Sequence, residues 1–122
     1  MTKHERACQL WTLLAWAATC RQILTYPLAA QLTGVPPPAL GGFLEPIQSY
    51  CELHGLPPLT TICVGSKSGL PGAGNQNATA ADLGAKQMEV FAYDWLAHGN
   101  PGPDKLAEAL MKHPTNANHD MA

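Results

Sequence analysis

The stretch LTYPLAAQLTGVPPPALGGFLEPI, from Leu24 to Ile47, has the pattern of two helices joined by a tight turn. Pro27 suits the first turn of a helix, where its missing N–H is not needed, and Gly34 is typical of a helix end. Three prolines then lead into a second apolar pattern, which begins near Pro38. The stretch therefore predicts a helix-turn-helix, although it contains neither Lys nor Arg.

The pattern on the N-terminal side of this stretch predicts one further helix. Thr2 and Glu5 have the spacing of a capping box, and apolar residues then recur at helical spacing, so a first helix is expected over residues 3–22. The third helix is expected to continue to Gly55. Pro46 lies inside its pattern and predicts a kink or a break there.

The pattern after the third helix predicts a β-hairpin and two more helices. The β-prone run LTTICV at residues 59–64 is followed by a turn at 65–69 and a short return strand at Leu70. Helical spacing predicts further helices over residues 82–98 and 103–112. Three helices followed by a hairpin predict an α+β, mostly α fold, with a winged-helix-like core and additional C-terminal helices.

Length and composition favour one domain with few charges. The chain has 122 residues, of which 46% are hydrophobic and 13% charged, and a formal net charge of −2. We expect a single winged-helix-like domain over residues 1–112, a flexible loop at 72–78 and a disordered tail at 113–122. The weak charge excludes strong electrostatic attraction to nucleic acid or to an anionic membrane. It favours a surface that meets a partner, although neutral polar residues could equally fill that surface.

The cysteines and the N-terminal segment indicate in which cellular compartment the protein is expected. The four cysteines are Cys8, Cys20, Cys51 and Cys63, and none forms a C-x-x-C pair, so a zinc knuckle is not expected. Buried free thiols in a reducing cytoplasm are a simpler interpretation than two disulfides. The apolar run at residues 7–20 is too short to span a membrane. It follows two basic residues and ends in a sequence that faintly resembles a lipoprotein cleavage site. A buried first helix is favoured, with an export signal as the alternative.

Two short motifs resemble a known family. Thr25-Tyr26 leads into a short helix and Pro38-Ala39-Leu40-Gly41-Gly42 opens a second. Over residues 3–72, this pattern resembles the DNA-binding domain of the O6-alkylguanine alkyltransferases and alkyltransferase-like proteins. The resemblance implies a winged-helix fold. The chain also resembles small, uncharacterised bacterial proteins with a Leu-Pro-Pro-Leu-Thr strand and a Phe-Ala-Tyr-Asp-Trp helix, to which no activity is attached.

The residues that carry the family's activity are absent from this sequence. Pro38 stands where the family has the Arg that pushes a base out of the duplex, and proline has no long side chain to fill the gap in the stack. The residues Pro57-Pro58-Leu59-Thr60 stand where the family has Pro-Cys-His-Arg, or Trp in place of the Cys. The resemblance therefore implies the fold and not the repair activity.

The helix-turn-helix offers little for reading DNA. No Lys or Arg occurs between Gln22 and Ser66. The candidates for base contact are Gln31 and Gln48, and those for phosphate contact are Arg21 and Lys67. Two phosphate contacts give weak, salt-sensitive binding. Weak or structure-selective DNA binding is therefore the alternative function.

A binding module without catalysis is the favoured interpretation. The candidate protein-interaction residues are Tyr26, Phe43, Tyr93 and Asp94, since aromatic side chains are enriched at interfaces. Histidines lack metal-ligand spacing, and the glycines at 69, 72 and 74 lack the spacing of a phosphate loop. Cys51 and His54 are the one candidate nucleophilic pair, but Cys51 falls on an apolar face. We predict no catalytic residue, metal, cofactor or membrane contact, with an unknown protein or a second copy as the partner.

Overall fold

The computed structural model describes residues 1–71 and 81–114, and the chain is mostly helical with a small two-stranded sheet. This agrees with the expected α+β, mostly α class. The predicted loop at 72–78 and residues 115–122 of the predicted tail lie outside the described residues. The helices are α1 (Lys3–Thr19), α2 (Tyr26–Thr33), α3 (Leu40–Leu53), α4 (Leu83–Ala92), α5 (Trp95–His98) and α6 (Pro103–Lys112), and the strands are β1 (Leu24–Thr25) and β2 (Cys63–Val64).

The first helix begins at its predicted capping box. The Glu5 backbone N–H donates to the Thr2 hydroxyl over 3.2 Å, and the Thr2 backbone N–H donates to the Glu5 carboxylate over 2.8 Å. This second bond is also the largest cause of a lowered pKa at Glu5. Two N–H groups that a helix start leaves unpaired are thereby satisfied.

The same helix ends three residues before the predicted boundary at residue 22. The Arg21 N–H donates to the Ala18 carbonyl over 3.0 Å, and the Gln22 N–H donates to the Ala17 carbonyl over 2.8 Å. These two bonds form the Schellman arrangement that closes a helix with a residue in the left-handed region. Arg21 takes that conformation at φ 57°, where glycine is usual. The sequence pattern did not indicate this helix end, because an arginine occupies the position where glycine is usual.

The predicted helix-turn-helix stretch does contain two helices. Thr25 caps α2 by accepting from the Leu28 N–H, and Gly34 ends it at φ 76°. The Arg6 guanidinium donates to the Thr33 carbonyl over 2.5 Å, so a cation stabilises the C-terminal end of α2. A 3₁₀ helix at Pro37–Ala39 then leads directly into α3.

The third helix continues through Pro46, where a kink or a break was expected. Proline removes one hydrogen bond from a helix, but packing can compensate for that loss. Here α3 lies between α1 and α6, and Pro46 is itself buried. Burial covers eight of its fourteen residues: Leu40, Leu44, Pro46, Ile47, Gln48, Ser49, Tyr50 and Cys51. The helix is therefore a central core element.

The predicted strand at 59–64 is present only at its end. Residues Leu59–Ile62 form a 3₁₀ helix, because the Pro58 carbonyl accepts from both the Thr61 N–H, over 3.0 Å, and the Thr61 hydroxyl, over 2.7 Å. All four residues are buried, so their apolar run reflects enclosure on every side and not a strand. Only β2 is extended, and it pairs in parallel with β1.

The predicted hairpin wing is reduced to a turn and one bridge. The Gly65 N–H donates to the Leu70 carbonyl over 2.8 Å, and Val64 forms an isolated antiparallel bridge with Pro71. The turn exposes Ser66, Lys67 and Ser68. The return strand expected at Leu70 is therefore this bridge alone within residues 1–71.

The predicted helix over 82–98 is two helices. The chain is extended at Tyr93, and Asp94 caps α5 by accepting from the Ala97 N–H over 3.1 Å. The break brings Trp95 into the core, where its indole N–H donates to the Val90 carbonyl over 2.7 Å. Helical spacing alone did not reveal this local cap.

Trp11 of α1 lies at the centre of the core. Its ring meets Tyr50 and Trp95 edge-on, at centroid distances of 5.4 and 5.6 Å, and His98 at 5.6 Å. Asn100 adds a polar connection, since its amide donates to the Cys8 carbonyl over 2.8 Å. The first helix is thus joined to the segments that follow α4.

Two of the left-handed helix ends, at Arg21 and Gly55, give a matched test of stability. Arg21→Gly should raise the free energy of unfolding by about 0.5 kcal/mol, because glycine adopts this conformation without steric cost. Gly55→Ala, at φ 65° after α3, should lower it by about 1 kcal/mol. Urea denaturation measures both changes. A lower free energy of unfolding for Arg21→Gly would show that the arginine side chain stabilises the fold.

Candidate functional site

The outer face of α2 carries an apolar surface without charge. Leu28 and Leu32 are 41% and 55% exposed, and they lie one helical turn apart with the exposed Gln31 beside them. We call these three residues the α2 surface. The exposed prolines Pro36–Pro38 follow it, and no charged residue occurs between Gln22 and Leu44. Exposed apolar side chains on a stretch without charges of its own are typical of a contact surface, and the nearby Arg6 guanidinium lies at the C-terminal end of α2.

The direction of these leucines follows from the small residues on the opposite face. Ala29, Ala30 and Thr33 are buried and allow α2 to lie close to the core. The Thr33 hydroxyl bonds the Ala29 carbonyl, so its polar group is satisfied within the helix. The sequence pattern shows apolar residues all around this short helix and does not show which ones face inward. In the structure, Ala29 and Ala30 face the core, whereas Leu28 and Leu32 face outward.

The predicted protein-interaction residues mostly belong to the core. Tyr26, Phe43 and Tyr93 are half-buried against it, and the Tyr93 ring lies 4.6 Å from that of Trp95. Asp94 is exposed, but its carboxylate caps α5. Aromatic enrichment gave no indication that the leucines of α2 face outward. The adjacent small residues Ala29-Ala30 were the available signal.

The predicted DNA-binding residues differ in their exposure to solvent. Gln48 is 5% exposed and donates to Glu52, so its amide is turned into the protein. Gln31 is exposed on α2. Arg21 and Lys67 are exposed too, but Arg21 precedes β1 and Lys67 follows β2. The two strands pair in parallel over two residues each, so Arg21 lies before and Lys67 after the same short sheet along the chain.

The cysteine thiols are free, as predicted, but not all are buried. Cys51 and Cys63 are buried, Cys8 is intermediate and Cys20 is exposed at the end of α1. Burial raises the pKa of Cys51 and of Cys63 to about 12, so both thiols stay protonated at neutral pH. Cys20 differs because α1 ends three residues earlier than expected, which leaves it at the helix end.

The candidate nucleophilic pair is not poised for chemistry. Cys51 is protonated and enclosed, whereas His54 is exposed and its ring contacts that of Tyr50 in a tilted arrangement at a centroid distance of 4.3 Å. A nucleophilic cysteine needs a lowered pKa and access to solvent. Neither condition is met at Cys51.

A cleft lies between α3 and α4. Its volume is about 410 Å³, and its lining residues are Cys51, Glu52, Gly55, Leu56, Pro57, Pro58, Lys86 and Glu89. The Gln87 amide donates to the Thr61 carbonyl over 2.9 Å and fixes α4 against the 3₁₀ helix at Leu59–Ile62. We call this the α3–α4 cleft. It combines an apolar wall with charged groups of both signs.

One carboxylate of this cleft is held by two neighbours. Gln48 donates to Glu52 Oε2 over 3.2 Å, and His113 Nε2 lies 2.7 Å from Glu52 Oε1. The Gln48 contact comes from one turn earlier on α3, and the His113 contact comes from the end of α6. Glu52 is therefore fixed in orientation at the junction of two helices.

Neither a metal cluster nor a membrane span is found in the part of the chain that the structure describes. No group of three His, Cys, Asp or Glu side chains there is placed to hold a metal ion. No helix in residues 1–71 or 81–114 has both the length and the apolar character needed to cross a bilayer.

Comparisons of the chain with models of known protein families, with curated proteins and with solved structures give no match. The resemblance to the alkyltransferase DNA-binding domain over residues 3–72 stays a prediction. Any function has to be inferred from the chain's own residues.

The difference in thiol burial predicts selective labelling. A maleimide at pH 7 should modify Cys20 rapidly, Cys8 slowly, and Cys51 and Cys63 only after unfolding in urea. Peptide mass spectrometry after brief exposure identifies the modified positions. Cys20→Ser is the control and should remove the rapid phase. Rapid labelling of Cys51 in the native protein would contradict its assignment as an enclosed, inert thiol.

Proposed function

We propose that the chain is a small, non-enzymatic binding module that contacts another protein through the α2 surface. The supporting observation is that Leu28 and Leu32 face outward from a stretch without charge. Burying their exposed parts contributes about 1 kcal/mol each, which is a substantial share of a weak interaction. The proposed partner is an unknown protein or a second copy of the chain.

The size of the surface indicates a modest or extended contact. A stable interface covers about 800 Å² on each partner, and the outer face of an eight-residue helix supplies only part of that area. The exposed Pro36–Pro38 segment is rigid and can extend the contact with little loss of conformational entropy. We therefore propose a transient interaction that uses α2 together with these prolines.

A non-enzymatic role agrees with the chemistry of the described residues. The buried thiols of Cys51 and Cys63 stay protonated, and the His54 ring contacts the Tyr50 ring. We also propose a winged-helix-like core, because α1, α2 and α3 are followed by a turn next to a small sheet. In this proposal, α2 replaces α3 as the contact helix, since α3 packs against both α1 and α6 and most of its residues are buried.

The α2 surface is tested by a charged double substitution. Leu28→Glu with Leu32→Glu should weaken self-association or partner binding at least tenfold, because two desolvated carboxylates would enter the contact. Met111→Glu, on the exposed side of α6, is the matched control. Light scattering after size-exclusion chromatography measures self-association, and affinity capture compares partners. A monomeric wild type that captures nothing, or equal capture by both variants, would contradict the proposal.

A DNA titration distinguishes the proposed protein-binding module from the DNA-binding alternative. At low salt, duplex and single-stranded DNA are titrated with micromolar protein and followed by fluorescence anisotropy. We expect no saturable binding, since Arg21 and Lys67 are separated in sequence by a span without Lys or Arg and two phosphate contacts bind only weakly. Saturable binding that Lys67→Gln weakens would favour the DNA-binding alternative over the protein-binding module.

A further inference from the structure

The α3–α4 cleft is a second candidate site, built from residues that the α2 surface does not use. We infer that it binds a small zwitterionic ligand of the amino-acid class with an aliphatic side chain. In this assignment, the ligand's ammonium group faces Glu52 and Glu89, its carboxylate faces Lys86, and its side chain lies against Leu56 and Pro57. The site goes beyond the proposed protein contact.

The orientation of Glu52 is the first support. A buried glutamine amide and the ring of His113 each contact one oxygen of its carboxylate. Each carboxylate oxygen can accept more than one hydrogen bond, so Glu52 retains capacity for an incoming ammonium group. Side chains that hold a charged group in place at a cleft are a common property of binding sites. The pair Gln48–Glu52 has this arrangement.

The separation of opposite charges is the second support. Lys86 is half-buried and lines the same cleft as Glu52 and Glu89. Within residues 1–71 and 81–114, no carboxylate lies within 4.0 Å of the Lys86 ammonium group, and the 2.7 Å partner of Glu52 is His113, so the lysine and the carboxylates of the cleft do not pair with one another. A ligand that carries both signs can pair with each group at once. A simple anion or cation would leave one sign unmatched in a partly desolvated space.

The apolar wall is the third support and limits the side chain of the ligand. Leu56 and Pro57 are half-buried, Pro58 and Cys51 are buried, and the Cys51 thiol stays neutral. A volume of about 410 Å³ falls in the lower part of the range for small-molecule sites, about 300–1,000 Å³. An aliphatic amino acid therefore matches the cleft in size, charge and apolar character.

Three related probes test this assignment on the full chain without any substitution. L-Leucine is zwitterionic, N-acetyl-leucine lacks the ammonium group and leucinamide lacks the carboxylate. Titrations followed by NMR chemical shifts should show saturable binding of leucine, with a Kd of about 10 mM or tighter for a ligand of this size. Each single-charge analogue should bind at least tenfold more weakly. No saturable shift with leucine, or equal binding of all three probes, would overturn the assignment.

Substitutions locate the binding in the cleft. Lys86→Met should weaken leucine binding about tenfold and leave the weak binding of leucinamide unchanged, whereas Lys86→Arg should retain leucine binding. Lys105→Met, on α6, is the matched control and should have no effect. Equal leucine affinity in Lys86→Met and the wild type would place any binding elsewhere and contradict the proposal. Thermal unfolding of each variant confirms that the fold is intact.

Discussion

The mutual packing of α1, α3 and α6 is the constraint on which the other features depend. Trp11 and Tyr50 meet edge-on at its centre, and Trp95 extends the cluster from the far side of the α4–α5 break. Aromatic rings of this size bury large areas and prefer such edge contacts. With α3 enclosed, α2 is left as the outward helix of the pair, and the C-terminal end of α3 contributes Glu52 to the cleft. Both candidate surfaces thus follow from the same packing.

Local signals in the sequence predicted the local structure well. Thr2 with Glu5, Pro27 and Gly34 act through their own backbone neighbours, so their effects can be read without knowledge of the fold. The strand prediction for residues 59–64 was wrong over residues 59–62, because a fully buried 3₁₀ helix can have the same residue pattern as a strand. The end of α1 was missed because Arg21 occupies a conformation that favours glycine. These errors arise where tertiary contacts or an unusual residue override a pattern.

The candidate sites were harder to predict than the fold. The sequence shows directly that residues 24–47 contain neither Lys nor Arg. It does not show which apolar residues of α2 face outward. The cleft joins Glu52 to Lys86 and Glu89, which lie more than thirty positions away along the chain. No spacing rule connects residues so far apart. Only the packing of α4 on the 3₁₀ helix at Leu59–Ile62 brings them together.

The position of α1 has a consequence for synthesis. It is made before α5 and α6, which contribute Trp95 and further contacts to the core around Trp11. Asn100 bonds the Cys8 carbonyl across 92 positions of sequence, which is a contact of long range for a chain of this length. Distant contacts slow folding, and apolar helices left uncovered favour aggregation. The nascent chain therefore carries an incomplete core until its C-terminal helices emerge, and α1 is the segment that a chaperone would protect during that interval.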